Sequence, residues 1–203
     1  MSEEKESKKF TDYLAFAISA LFSPYVTAAV FIIIVTYAYA QNLSQFLPWM
    51  ITFLAFAVII PGIYTLWLME TGKIADIHMS GLKERKIPFL IAGILAIIGA
   101  LILIILDAAK PVIVMGVTYA INALAVALVT QVWKISVHTA LFSAISTIAV
   151  IIFGPFYWWL YLILIPLSWS RIHRHRHTIA QVVAGALLAF VLTTATFFVF
   201  GYL

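Results

Sequence analysis

The fold class predicted is an all-α, polytopic transmembrane helix bundle of six or seven spans, and three observations predict it. Of the 203 residues, 65% are hydrophobic and only 10% charged, where a soluble domain is roughly half apolar. Apolar runs of about 20 residues recur along the chain, the length that crosses a hydrocarbon core. The polar pieces between them are short, so a single transmembrane domain is expected over residues 1–203, with a polar tail at 1–10 and no room for a separate soluble domain. Cys is absent, which excludes disulfides and thiolate metal sites.

The first segment runs from about Thr11 to Ala40, with Ser23-Pro24 as a kink or early break because proline cannot continue a helix interior. Its apolar run is too long for a cleavable signal, and the tail before it is of mixed charge. Segment two, about Phe46 to Met69, contains Pro61-Gly62, and the longest polar connection, 70–87, follows. Pro88 is expected to open segment three, which reaches Leu106 and spans about 28 Å as a helix. After a turn at Asp107 to Pro111, segment four covers Val112 to Val132, and Trp133-Lys134 marks an interface. Segment five, Ser136 to Phe153, stops at Gly154-Pro155. Segment six, Phe156 to Trp169, is aromatic and only about 20 Å long as a helix, which demands tilt or local thinning. Segment seven, Ile179 to Tyr202, closes the chain.

If each segment crosses once, the N-terminal tail and the pieces 70–87, 132–136 and 168–178 share one side. That side holds eleven of the twelve Lys and Arg residues, and the other side only Lys110. The positive-inside rule then makes the crowded side cytoplasmic.

Three polar pieces on that side carry chemistry. Arg85, in Lys83-Glu84-Arg85-Lys86-Ile87-Pro88, stands at a helix entrance where free backbone N–H groups attract anions. In Lys134-Ile135-Ser136-Val137-His138-Thr139, Ser136 is an N-cap and His138 a proton donor with a pKa suited to neutral pH. The third piece, Ser170-Arg171-Ile172-His173-Arg174-His175-Arg176-His177, sets positive charge against a bilayer, which is costly unless it faces water, protein or an anion. Arg and His donors suit a phosphate. His177 is placed to attack phosphorus, and Gln181, one helical turn on, to accept from one imidazole nitrogen and leave the other free. Each piece also has a plainer reading, as topology charges, a satisfied interfacial histidine or a basic headgroup anchor. Arg174 and Arg176 fit that anchor role. A metal reading exists for His173, His175 and His177, which would point one way from an extended segment, but three neighbouring arginines and no carboxylate after Asp107 oppose a cation.

The order and spacing of these pieces resemble the type 2 phosphatidic acid phosphatase superfamily, which includes the vanadium haloperoxidases. The family's third motif, Ser-Arg, five residues, His, three residues, Asp, reads here as Ser170-Arg171, His177 and then Gln181. Its Pro-Ser-Gly-His motif corresponds to Ile135-Ser136-Val137-His138, and its Lys and Arg-Pro motif survives loosely around Lys83, Arg85 and Pro88. The resemblance covers about residues 70–190. It implies His177 as nucleophile, His138 as leaving-group acid, and Arg85, Ser136 and Arg171 as phosphate ligands, with Ser170 and Lys83 of the same motifs as further substrate-binding residues. Lys134 is a further cation suggested by its position. Gln181 departs from the family Asp and brings no negative charge, and Val137 narrows the approach where the family has Gly. The expected function is an integral membrane lipid phosphatase acting on a lipid phosphate or diphosphate through a phosphohistidine, without metal or other cofactor. The alternative is a catalytically impaired relative that binds or transports anionic lipids. Membrane lipids are the expected surroundings, nucleic acid is not an expected partner, and the oligomeric state is left open.

Overall fold

The computed structural model describes residues 9–76, 79 and 81–203, and every regular element among them is helical. Most of the expected polar tail, residues 1–8, lies outside the described residues. Helices α1 (Phe10–Leu21) and α2 (Pro24–Tyr39) meet at an angle of 42°. The break falls at the predicted Ser23-Pro24, where the Ser23 hydroxyl accepts from Val26 N and proline occupies the first helical position. The first segment is therefore two helices, with only the second inside the bundle core.

α3 (Leu43–Leu54) continues through a π turn (Ala55–Ile59) into α4 (Ile60–Glu70). Pro61 explains the turn. It has no N–H for the carbonyl of Ala57, four residues earlier, and its ring crowds that position. Tyr119 supplies the missing bond, its hydroxyl donating to the Ala57 carbonyl at 2.8 Å.

α5 (Leu82–Ile105) starts six residues before the expected Pro88. Glu84 makes this possible, because its carboxylate accepts from the backbone N–H of Gly81 and of Ala75. Arg85 consequently sits on the first turn of α5 and not in a loop before it. α6 (Lys110–Val129) packs antiparallel on α5, and α7 (Val137–Phe153) occupies the middle of the bundle.

A 3-10 helix (Pro155–Ile163) runs into α8 (Leu164–His173). The 3-10 stretch matters for length, since it rises about 2.0 Å per residue against 1.5 Å in an α-helix. Residues 155–173 thereby extend about 33 Å, enough for a bilayer core without the thinning expected for segment six. α9 (Ile179–Val199) closes the bundle, starting from a capping box in which Thr178 and Gln181 bond each other's backbone N–H groups.

α7 and α9 touch through small and hydroxylated residues. Thr139 and Ser143 donate to the carbonyls of Val182 and Ala186, and a Cβ at Gly185 would lie 2.6 Å from the Ser136 carbonyl oxygen. Such close contact is how helices associate where no hydrophobic force separates them from lipid. Among the described residues, four helical stretches are by length and hydropathy able to cross a membrane: α3–α4, α5, α6 and α9. The bent pair α1–α2 makes a fifth if it counts as one span. The chain is thus an all-α protein with several membrane-length apolar helices.

Candidate active site

The ends of the bundle differ. At one, Tyr39 donates to the Ile152 carbonyl and stacks on Phe153, while Lys110 lies over the ring of Tyr202. At the other, a cavity of about 310 Å³ is lined by Arg85, His138, Arg171 and His177, together with Arg174 and residues of α1 and α2. Four residues expected to share a site from three distant parts of the sequence line this one recess.

Each is held by its own local structure. Arg85 is 4% exposed and its Nε donates to the Met79 carbonyl at 2.7 Å, its Nη1 to the Ile135 carbonyl at 3.4 Å. His138, 5% exposed, is the second residue of α7, which Ser136 caps by accepting from Thr139 N. Arg171 is 1% exposed near the end of α8, and its Nη1 donates to Ser19 Oγ at 2.5 Å. Its carbonyl accepts from the backbone N–H groups of Arg176 and His177, so the chain folds back over the helix end. His175 takes a left-handed backbone conformation, φ 52°, inside that reversal.

This turn overturns the extended segment that the metal reading required. His173 is helical and its Nε2 meets Asp12 Oδ1 at 2.7 Å, His175 is exposed, and His177 turns into the cavity at 7% exposure. The three imidazoles have separate surroundings. Among the described residues, no three His, Cys, Asp or Glu side chains gather as a metal site.

The protonation pattern of His177 follows from its partners. Gln181 Oε1 accepts from Thr178 N at 3.1 Å, which identifies that atom as the amide oxygen. The contact between Gln181 Oε1 and His177 Nδ1, at 3.2 Å, must then be a bond donated by Nδ1–H. Nε2 is left with its lone pair. Burial, and after it the positive charges of Arg85, Arg171 and Lys134, lower the His177 pKa to about 3, opposed only by the Gln181 bond. The imidazole is neutral at physiological pH and can act as a nucleophile there.

Other predicted residues lie elsewhere. Lys134 and Gln181 face a second, more open recess on the far side of His177, shared with Arg176 and Thr178. Burial, with Arg85 and other cations nearby, lowers the Lys134 pKa. Ser136 and Ser170 are buried in structural roles: Ser136 N donates to the Gln181 carbonyl, and Ser170 Oγ to the Leu167 carbonyl. Lys83 is exposed on the first turn of α5.

Three participants were not anticipated. Ser19 and Arg174 line the cavity, and Asp76 meets Arg176 at 3.4 Å. Asp12 and Ser19 are polar residues in a segment read as membrane-crossing, and that was the signal that could have flagged them. Beneath the cavity lies an apolar one of about 170 Å³, and the two share Pro24, Tyr25, Met79, Phe89 and Val137 as lining. Its lining follows α7 down to Ile148, about 16 Å of helix. Compared with protein-family models, curated proteins and solved structures, the chain matches none.

Proposed function

We propose that this protein is an integral membrane phosphatase that hydrolyses a lipid phosphate or diphosphate through a phosphohistidine intermediate, of the kind found in the type 2 phosphatidic acid phosphatase superfamily. The observation that carries the reading is the single cavity lined by Arg85, His138, Arg171 and His177. Two buried guanidiniums bind the phosphate oxygens and offset the charge that develops in transfer. His177 Nε2 attacks phosphorus, the bond from phosphorus to the lipid oxygen breaks, and His138 gives that oxygen its proton. Water then attacks the phosphohistidine, losing a proton to His138, and phosphate leaves with His177 restored. The apolar cavity below supports a lipid substrate, since it offers a chain attached to the bound phosphate a route into the bundle.

In this reading the chain crosses the membrane six or seven times, α7 and the 155–173 stretch adding to the longer helices, and the cationic end faces the cytoplasm. Phosphate release from phosphatidate-like and polyprenyl phosphates by the purified protein is the test. Turnover is expected to resist EDTA and to vanish in His177→Ala; release unaffected by that substitution overturns the mechanism.

Gln181 favours one rival, a catalytically impaired relative that binds or transports anionic lipids. The Gln181 amide orients His177 but adds no negative charge to a surrounding that is otherwise cationic. Gln181→Asp separates the two, because a slow enzyme speeds up when the imidazolium gains a carboxylate and a non-enzyme stays silent.

A further inference from the structure

We infer that Ser19, on α1, is a phosphate-binding residue of this site and that α1 is one of its walls; the inference rests on the phosphatase reading above. Three residues on one face of α1, at positions i, i+4 and i+7, engage the end of α8. Asp12 meets His173, Phe16 lies under the Arg174 guanidinium at 5.1 Å, and Ser19 accepts from Arg171. The opposite face carries exposed Phe10, Tyr13 and Leu14. A helix held this way presents Ser19 to the cavity at a fixed place.

The hydroxyl has an unspent proton. Elsewhere in the bundle Thr36, Thr118, Ser146 and Thr147 each donate to the carbonyl four residues back. Ser19 makes no such bond among the described residues; its oxygen accepts from Arg171 Nη1 and its proton is available to an acceptor in the cavity that it lines. The partner guanidinium is also incompletely used, because Arg171 Nε is buried with no acceptor among the described residues. A buried cation with an unused donor is costly unless an anion completes it. One tetrahedral oxyanion answers both, taking the Ser19 proton on one oxygen and Arg171 N–H donors on others.

The test is a titration of inorganic phosphate into the full-length protein in detergent, read by calorimetry and as competitive inhibition of lipid phosphate hydrolysis. Ser19→Ala is expected to weaken phosphate about tenfold, the usual worth of one hydrogen bond to a charged group. It should weaken phosphate further in an Arg171→Ala background, because its own bond to the oxyanion is lost there too. Ser19→Thr keeps the hydroxyl and should restore binding, whereas Ser19→Asp places a carboxylate on Arg171 and should exclude phosphate. Wild-type affinity in Ser19→Ala and Ser19→Asp, with the parent binding and hydrolysing normally, overturns the role of Ser19 and leaves the phosphatase reading intact. A parent that neither binds phosphate nor releases it from lipid overturns both.

Discussion

His177 has two unlike sides, and the difference between them separates chemistry from support. On the enclosed side stand Arg85, His138, Arg171 and Ser19, all buried, in a recess walled by helices. On the open side stand Lys134, Arg176 and Gln181, next to solvent-facing His175 and Thr178. Charges in an enclosed recess are screened less than solvent-facing ones. Under the proposed phosphatase reading, the reacting phosphate belongs on the enclosed side. The open side fixes the His177 tautomer through Gln181, while its charge state comes mainly from burial and the enclosed Arg85 and Arg171, with Lys134 adding less.

Substitutions should separate the two sides, with the largest effects on the enclosed one. Arg171→Ala should lower kcat/KM by about 10²–10³, as for removal of one donor to a developing oxyanion, and steady-state phosphate release measures it. His138→Gln should cost about 10²–10⁴ with an alkyl phosphate, the range for a general acid. An aryl phosphate, whose leaving group needs no proton, should recover most of that loss. Equal losses with both substrates would remove His138 from the acid role.

Effects on the open side should be smaller and show mainly in pH dependence. With its pKa lowered to about 3, His177 stays neutral well below the usual imidazole range, so activity should not fall near pH 6.5 through protonation of this residue. Lys134→Ala removes one of the cations responsible and should move the acid limb of kcat/KM upward, with about a threefold loss in rate. Folding stability carries the matching sign. The unfolded chain takes up a proton on His177 below about pH 6.5 and the folded chain does not until about pH 3. Thermal stability should thus decline as pH falls through that window, and His177→Asn should flatten the decline. Smallest of all, Lys83→Ala should leave activity within error, since Lys83 is exposed outside both recesses.

Much of the fold was legible because hydropathy and proline report directly on membrane helices. The break at Ser23-Pro24, the turn at Asp107 and the stop at Gly154-Pro155 all fall where the sequence places them. The start of α5 was not legible, because Glu84 begins the helix by bonding backbone groups of Gly81 and Ala75, a tertiary detail with no apolar period. Nor was the reach of segment six, which depends on a 3-10 stretch that propensity does not announce. For the site, the spacing of Arg171, His177 and Gln181 was readable because a turn and a helix fix it locally. The carboxylates that serve the basic run were not, since Asp12 and Asp76 approach His173 and Arg176 from far earlier in the chain. Ser19 was hidden for the same reason: its partner Arg171 is 152 residues away.

The most direct measurement is to quench the purified protein during turnover of a ³²P-labelled lipid phosphate and map the label by peptide analysis. An acid-labile, base-stable phosphoryl group is expected on His177, absent from His177→Ala and prolonged in His138→Gln. Turnover with no label at His177, or with label on another residue, would contradict it.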